Sequence, residues 1–181
     1  MGRPSMLQQR RAELVEAYRR VLAESGHRGA TVARVAATAG LAPGLVHHYF
    51  RSRDALDLAL LARLVADFRG RTASLGDQGL DGYLDAALAL GRNADRIAAR
   101  AWVGVLAHAL TDATAFERVR VMLDGEIERL DRLSGRRLGI AGASATLAFV
   151  LGCLVFGAFA PRRVAGFAAP AAKRLVRSLL V

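Results

Sequence analysis

Ile140 to Ala160 runs for twenty-one residues without a charge. As a helix it would be about 30 Å long, enough to cross a bilayer. Such a segment belongs either in lipid or under a cover of protein. Arg136 and Arg137 precede it and Arg162 and Arg163 follow it, so neither orientation across a membrane is favoured. Gly142, Gly152 and Gly157 suit close approach of a second helix. The chain must therefore be helical around a deeply packed penultimate helix, or be anchored by it.

The remaining pattern is helical as well. Leu7, Leu14, Val15, Tyr18, Val21 and Leu22 recur at helical spacing from Met6 to Ser25, with Arg10, Arg11, Glu13, Glu16, Arg19 and Arg20 outside. Gly26 ends that helix. Thr31 can cap a second, Val32 to Ala39, and Gly40 closes it. A third covers Ala42 to His48. Ser52 caps a fourth, Arg53 to Arg71. Thr72 to Gly82, with Gly76 and Gly79 inside, reads as a break. Beyond it come Tyr83–Gly91, Asp95–Leu110 and Thr114–Ser134. In the last of these Phe116, Val119, Leu123, Ile127, Leu130 and Leu133 form an apolar stripe. Glu117, Arg118, Arg120, Glu126, Glu128 and Arg132 are expected on its polar face. After Ile140–Ala160, the residues Pro161, Arg162 and Arg163 interrupt, and Pro170 suits the first turn of a final helix to Leu180. About nine helices and no strand are expected, making the fold all-α. Apolar residues are 53% of the 181 and aromatics only 6%, so Ala, Leu and Val must build the core.

The net charge of +10 favours a polyanionic partner, and Lys173 is the only lysine among the cations. Residues 1–53 hold nine Arg against three Glu, a net +6. Cys153 is the only cysteine, which excludes an intrachain disulfide and a C-x-x-C site; an inert buried thiol is expected. Met1 to Arg20 has no uninterrupted apolar run, so no secretory signal is expected, and a reducing cytoplasm fits.

The informative stretch is Thr31 to Arg53. Two short helices flank Gly40-Leu41-Ala42. Val35, Ala36, Leu41, Val46 and Phe50 can face inward, leaving Leu45, His47, His48 and Tyr49 outward. A short helix with outward donors, braced by another, meets the steric requirement for probing a major groove. Ala42 and Gly44 are small enough for close approach, which would offset the roughly 1 kcal/mol cost of a mid-helix glycine.

These residues resemble the DNA-binding domain of TetR/AcrR-family regulators, and the Gly-Leu-Val-His-His-Tyr-Phe run most resembles the BetI-like branch. The matches are Thr31, Val35-Ala36, Ala39-Gly40-Leu41, His47-His48-Tyr49-Phe50, Arg51-Ser52-Arg53 and Leu56. Ala33 departs from a commonly polar position and His47 from a common Tyr, which leaves the operator sequence open. The resemblance implies a three-helix helix-turn-helix domain over residues 1–52. It implies a ligand-binding and dimerisation bundle over 53–181, with the last two helices packing on their twins. It implies phosphate contacts from Thr31, Tyr49 and Arg53, and a base-facing stretch of Pro43, Gly44, Leu45, His47 and His48. Arg34 joins the DNA-binding set, and Arg3, Arg10 and Arg11 could add phosphate or minor-groove contacts. The function implied is a ligand-released repressor that binds a palindromic operator in double-stranded DNA as a homodimer. A small-molecule effector is implied, with no cofactor, metal or membrane partner.

Adjacent His47 and His48 diverge by about 100° around a helix and would chelate a metal poorly. His108 and Asp112 share a helix face; they suit a structural hydrogen bond or a polar anchor in a ligand pocket. Trp102 suits core or pocket. Tyr83, Trp102, Leu106, His108, Phe116, Phe149 and Phe156 are the candidate pocket lining. In the BetI-like branch a cation held by an aromatic face would be reasonable. No paired carboxylates, phosphate loop or nucleophile motif argues for an enzyme. The alternative to a regulator is a small membrane-associated helical protein anchored by residues 140–160.

Overall fold

A computed structural model describes residues 6–73, 79–89 and 96–180. The expected roles of Arg3 and Gly76, the expected helix start at Asp95 and the expected helix end at Gly91 lie outside the described residues. Among the described residues there are ten helices and no strand: α1 (Met6–Gly29), α2 (Val32–Thr38), α3 (Pro43–Tyr49), α4 (Arg53–Ala73), α5 (Gly79–Ala87), α6 (Arg96–Ala109), α7 (Ala113–Leu133), α8 (Gly139–Phe159), α9 (Pro161–Ala165) and α10 (Ala168–Leu179). The helix beyond the expected nine is α9. It forms at the proline-led segment that the sequence presented as an interruption, because Pro161 occupies its first turn, where no backbone N–H is needed.

Local chemistry sets the boundaries of the N-terminal helices. Gly26 adopts φ 66° and ψ 178°, so the regular part of α1 stops there and His27–Gly29 add one further turn. Only glycine takes that conformation without strain. Thr31 Oγ1 accepts from Arg34 N at 3.3 Å and caps α2. Gly40, at φ 68°, then reverses the chain, and Leu41 N donates to Ala36 O at 2.9 Å across the turn. Pro43 starts α3, and Ser52 Oγ accepts from Ala55 N at 3.1 Å to start α4.

Leu14, Tyr18, Val21 and Leu22 of α1, Val35 of α2, Val46 and Phe50 at α3, and Leu56 and Leu60 of α4 are all essentially inaccessible. They form one apolar cluster that continues without a gap into Leu64, Tyr83, Leu84, Ala101 and Leu130. The reason is α1, which packs on α2, α3 and α4 and also along α6. At Gly104 of α6, a Cβ would stand 3.1 Å from Leu22 Cγ, so the small residue sets how closely α6 approaches α1. The N-terminal head is thereby welded to the body.

Two expectations for the body need correcting. Glu126 is 4% exposed and sits within the inner row of α7, and Phe116 is 51% exposed. The apolar stripe of α7 therefore carries one buried acid and loses its first member to solvent. α8 packs on α6, α7, α9 and α10, yet within the chain only one side of it is covered. Ala143, Leu147, Val150 and Leu154 are buried, whereas Ile140, Val155, Phe156 and Phe159 are exposed.

Candidate nucleic-acid interface and the polar seam behind it

α3 is held by its inner side and free on its outer side. Val46 and Phe50 are buried against the core, while Pro43, Gly44, Leu45, His47 and His48 are exposed. The His48 and Tyr49 rings meet edge to face at 5.1 Å, with Tyr49 half-buried. An ideal Cβ on Gly44 would meet no atom of the protein within 4 Å. Thr31 and Arg34, at the start of α2, are exposed beside this row, as is Arg51 just after α3. Arg34 reaches back to Gly29 O at 3.4 Å.

Two arginines expected near phosphate are engaged by backbone carbonyls of the protein itself. The Arg11 guanidinium donates to Tyr49 O and lies 4.2 Å above the Phe50 ring. It satisfies a carbonyl at the end of α3 and clamps α3 to α1. Arg53 donates to His27 O, and its Nε is buried without a hydrogen-bond partner. The last turn of α1 has open carbonyls, and a cation at a helix C-terminus is favoured there. Arg53 thus joins α4 to α1 in this conformation. Arg10 pairs with Glu13 at 2.8 Å.

Behind the head lies a polar seam. Asp57 of α4 is 4% exposed. Its Oδ1 accepts from Tyr18 Oη, and its Oδ2 stands 3.2 Å from His27 Nε2 and 3.7 Å from His108 Nε2. The two imidazoles stack with centroids 4.1 Å apart and planes 15° apart. Burial first, and then the neighbouring Asp57, push the Tyr18 phenol well above its usual range. The expected His108–Asp112 bond gives way to this arrangement, because Asp112 instead caps α7, accepting from Ala115 N at 2.7 Å. One signal for Asp57 was present in the sequence: it falls in the inward row of α4 with Leu56, Leu60 and Leu64.

A second buried acid lies in the body. Glu126 Oε1 accepts from Tyr83 Oη at 2.9 Å and from Arg129 Nη1 at 3.2 Å, and Arg69 Nε lies 3.8 Å from Oε2. Arg129 also donates to Thr72 Oγ1 at 2.8 Å. Tyr83 is driven up by burial first and by Glu126 second. Beside this network a small cavity of about 30 Å³ opens among α4, α6, α7 and α8, lined by Val65, Phe68, Trp102, Met122, Leu147 and Leu154, with Glu126 and Arg69 also in its wall. A wider groove between α4 and α7 shares Val65, Arg69 and Met122 with it.

Of the expected pocket residues, Trp102 lines this cavity. Tyr83 is buried at its hydrogen bond to Glu126, Leu106 and Phe149 are half-buried outside the lining, and His108 faces Asp57. Phe116 and Phe156 are 51% and 46% exposed and line no part of it. Cys153 is buried, and burial raises its thiol pKa. Two triads of metal-ligating side chains occur among the described residues: His27, Asp57 and His108, and Asp54, His108 and Asp112.

Comparison with known proteins bears on the whole arrangement. Residues 14–60 match the model of bacterial regulatory proteins of the tetR family. The HTH-type transcriptional regulator BetI of Brucella anthropi is 41% identical over 58 residues, 32% of this chain and 30% of that protein. BetI of Rhizobium meliloti is 40% identical over 60 residues, again 30% of its length. The sequence likeness thus spans less than a third of these relatives. The fold likeness is nearly complete. A transcriptional regulator from Rhodococcus sp. Rha1 superposes with TM-score 0.83 at 25% identity, covering 94% of this chain and 95% of that one. A TetR transcription regulator from Haloarcula marismortui gives TM-score 0.80 at 17% identity, over 94% and 97%.

Proposed function

We propose that the chain is a regulator of the TetR type, on the match of residues 14–60 to the tetR family model and the likeness of its fold to solved regulators, and that it is a dimeric, cytoplasmic DNA-binding protein whose operator affinity is set by a small molecule held in the body. The observation that carries this reading is the outer row of α3, five exposed residues fixed from behind by Val46, Phe50 and Arg11. In this reading Pro43, Gly44, Leu45, His47 and His48 meet base edges, and Thr31, Arg34, Tyr49 and Arg51 meet the flanking phosphates. Arg53 acts one step back, by holding the end of α1 to α4.

A two-fold dimer would carry two α3 helices to successive major grooves, so the operator would be palindromic. The exposed apolar row of α8, with Phe167 after α9, supplies the twin surface, since an apolar patch of this kind marks an interaction site. The walls of the body cavity are apolar, and its one acid is already held by Tyr83 and Arg129. That chemistry favours an apolar effector over the cation that would be reasonable in the BetI-like branch, and the cavity of about 30 Å³ would have to widen to admit one. Occupancy can shift the spacing of the α3 helices only through unequal affinity for the two arrangements. Repression with release by ligand is the working mode proposed.

Selection of bound duplexes from a random pool tests the reading. A palindromic sequence should emerge, and His48→Ala should relax base preference more than it weakens non-specific binding. Recovery of no preferred sequence at low salt would refute it. The second reading, membrane attachment through α8, is favoured by one observation: the helix has a mean hydropathy of 2.0 over its best window, of which 33% is buried. Expression in the detergent-free soluble fraction as a dimer would eliminate that reading; partition into membranes would eliminate the first.

A further inference from the structure

Three helices converge on the Asp57 carboxylate, and what they bring to it is a set of metal ligands. His27 comes from the last turn of α1, Asp57 from α4 and His108 from α6. Both imidazoles aim the same atom, Nε2, at the same oxygen, Oδ2, at 3.2 and 3.7 Å. Donor atoms on a tetrahedral zinc with bonds of about 2.0–2.1 Å are about 3.3 Å apart. The two distances to Asp57 bracket that value, and the three ligand atoms all lie within 4.8 Å of one another.

The surroundings agree. His108 Nε2 is buried and lacks a hydrogen-bond partner. Tyr18 Oη holds the other carboxylate oxygen, the outer-shell contact that orients a ligating acid. Asp54 and Asp112 also lie against His108, their ligand atoms within 4.8 Å of its own and of each other. Three carboxylates, those of Asp54, Asp57 and Asp112, thus gather around His108.

We propose that His27, Asp57 and His108 bind a divalent transition-metal ion of the zinc, cobalt or nickel type. Binding turns the stacked rings out of parallel, so that both lone pairs meet the ion. The ion fastens the end of α1 and the start of α4 to α6, and so fixes the head upon the body. It is a second input, separate from the apolar cavity.

The test uses the untagged full-length chain, stripped by chelator and titrated with Co²⁺ and then Zn²⁺. Visible d–d absorption saturating at one ion per protomer, with a zinc-dependent rise in melting temperature, is expected. His27→Gln and His108→Gln should each weaken binding at least about tenfold. The double change His47→Gln with His48→Gln, which removes the other two histidines, should leave it unchanged. No absorption and no zinc stabilisation in the parent chain would overturn the proposal, as would binding that survives both seam variants or disappears with the double change. Should His108→Gln fail to fold, His27→Gln decides, its side chain being 28% exposed. The effect on DNA rests on the regulator reading and is measured separately: a chain that binds cobalt but no duplex keeps the metal site and loses that reading.

Discussion

Gly44→Ala separates what the protein needs of α3 from what DNA needs of it. Gly44 is the second residue of α3, is exposed, and has no protein atom within 4 Å of where a Cβ would stand. Within the protein, the methyl group therefore costs nothing and removes backbone freedom from the unfolded chain. Helix propensity puts the gain at up to about 1 kcal/mol. For a chain of this length that corresponds to a rise in melting temperature of about 2–4 °C. Against DNA the sign reverses. If the first turn of α3 enters the major groove, the methyl group meets base edges, and the best selected duplex should bind at least tenfold more weakly, about 1.4 kcal/mol. The salt dependence should not change, because no cation is touched. Gly70→Ala is the control: it is also helical, exposed and free of neighbours within 4 Å, but it lies far along α4. It should stabilise without affecting DNA. Calorimetry and fluorescence anisotropy read the two quantities. A Gly44→Ala protein that melts higher and binds DNA as tightly as the parent would refute the placement of α3.

Arg53→Ala should lower the urea midpoint by the equivalent of about 1.5–3 kcal/mol, the cost of a charged hydrogen bond, and a variant as stable as the parent would remove its bracing role. Glu126→Ala leaves Tyr83, Arg129 and Arg69 without their shared acceptor and should destabilise by about 3 kcal/mol in denaturant unfolding; a neutral result would mean that the network contributes no stability. Tyr18 and Tyr83 both have folded pKa values raised above the ordinary value near 10. Their stabilisation is complete below about pH 10 and falls above it, because the unfolded chain then releases phenolic protons that the folded chain keeps. The urea midpoint should decline across that range, and less steeply in Tyr83→Phe; a flat profile would refute the shifts. Phe156→Glu combined with Phe159→Glu should yield monomers in sedimentation velocity and reduce operator affinity, whereas an intact dimer would place the twin surface elsewhere.

Much of the architecture was legible because its signals are local. Thr31, Ser52, Gly26 and Gly40 act within a few residues of themselves, and helix ends near them fell close to expectation. The outward row of α3 followed from Val46 and Phe50 facing in. What sequence spacing could not resolve was which covering surface an apolar row meets. Phe156 reads as apolar whether or not the core of its own chain covers it, and its 46% exposure shows that the core does not. Glu126 looked like a surface acid because its partners, Tyr83 and Arg69, are remote in sequence. The seam was hidden for the same reason: His27, Asp57 and His108 come from three elements, and His108 looked paired with its own helix neighbour, Asp112. Arg11 and Arg53 read as free cations because nothing local marks the carbonyls of Tyr49 and His27 as their partners.

The close fit of Leu22 against Gly104 bears on how regulators of this build can be recombined. A chimera that grafts a foreign reading head at residue 52 would import a first helix shaped for someone else's sixth. Wherever the incoming residue at position 22 is bulkier, or the resident at 104 is not glycine, the two halves would stand apart and the joint would loosen. Hybrids that carry both contact rows across together should keep head and body firmly joined.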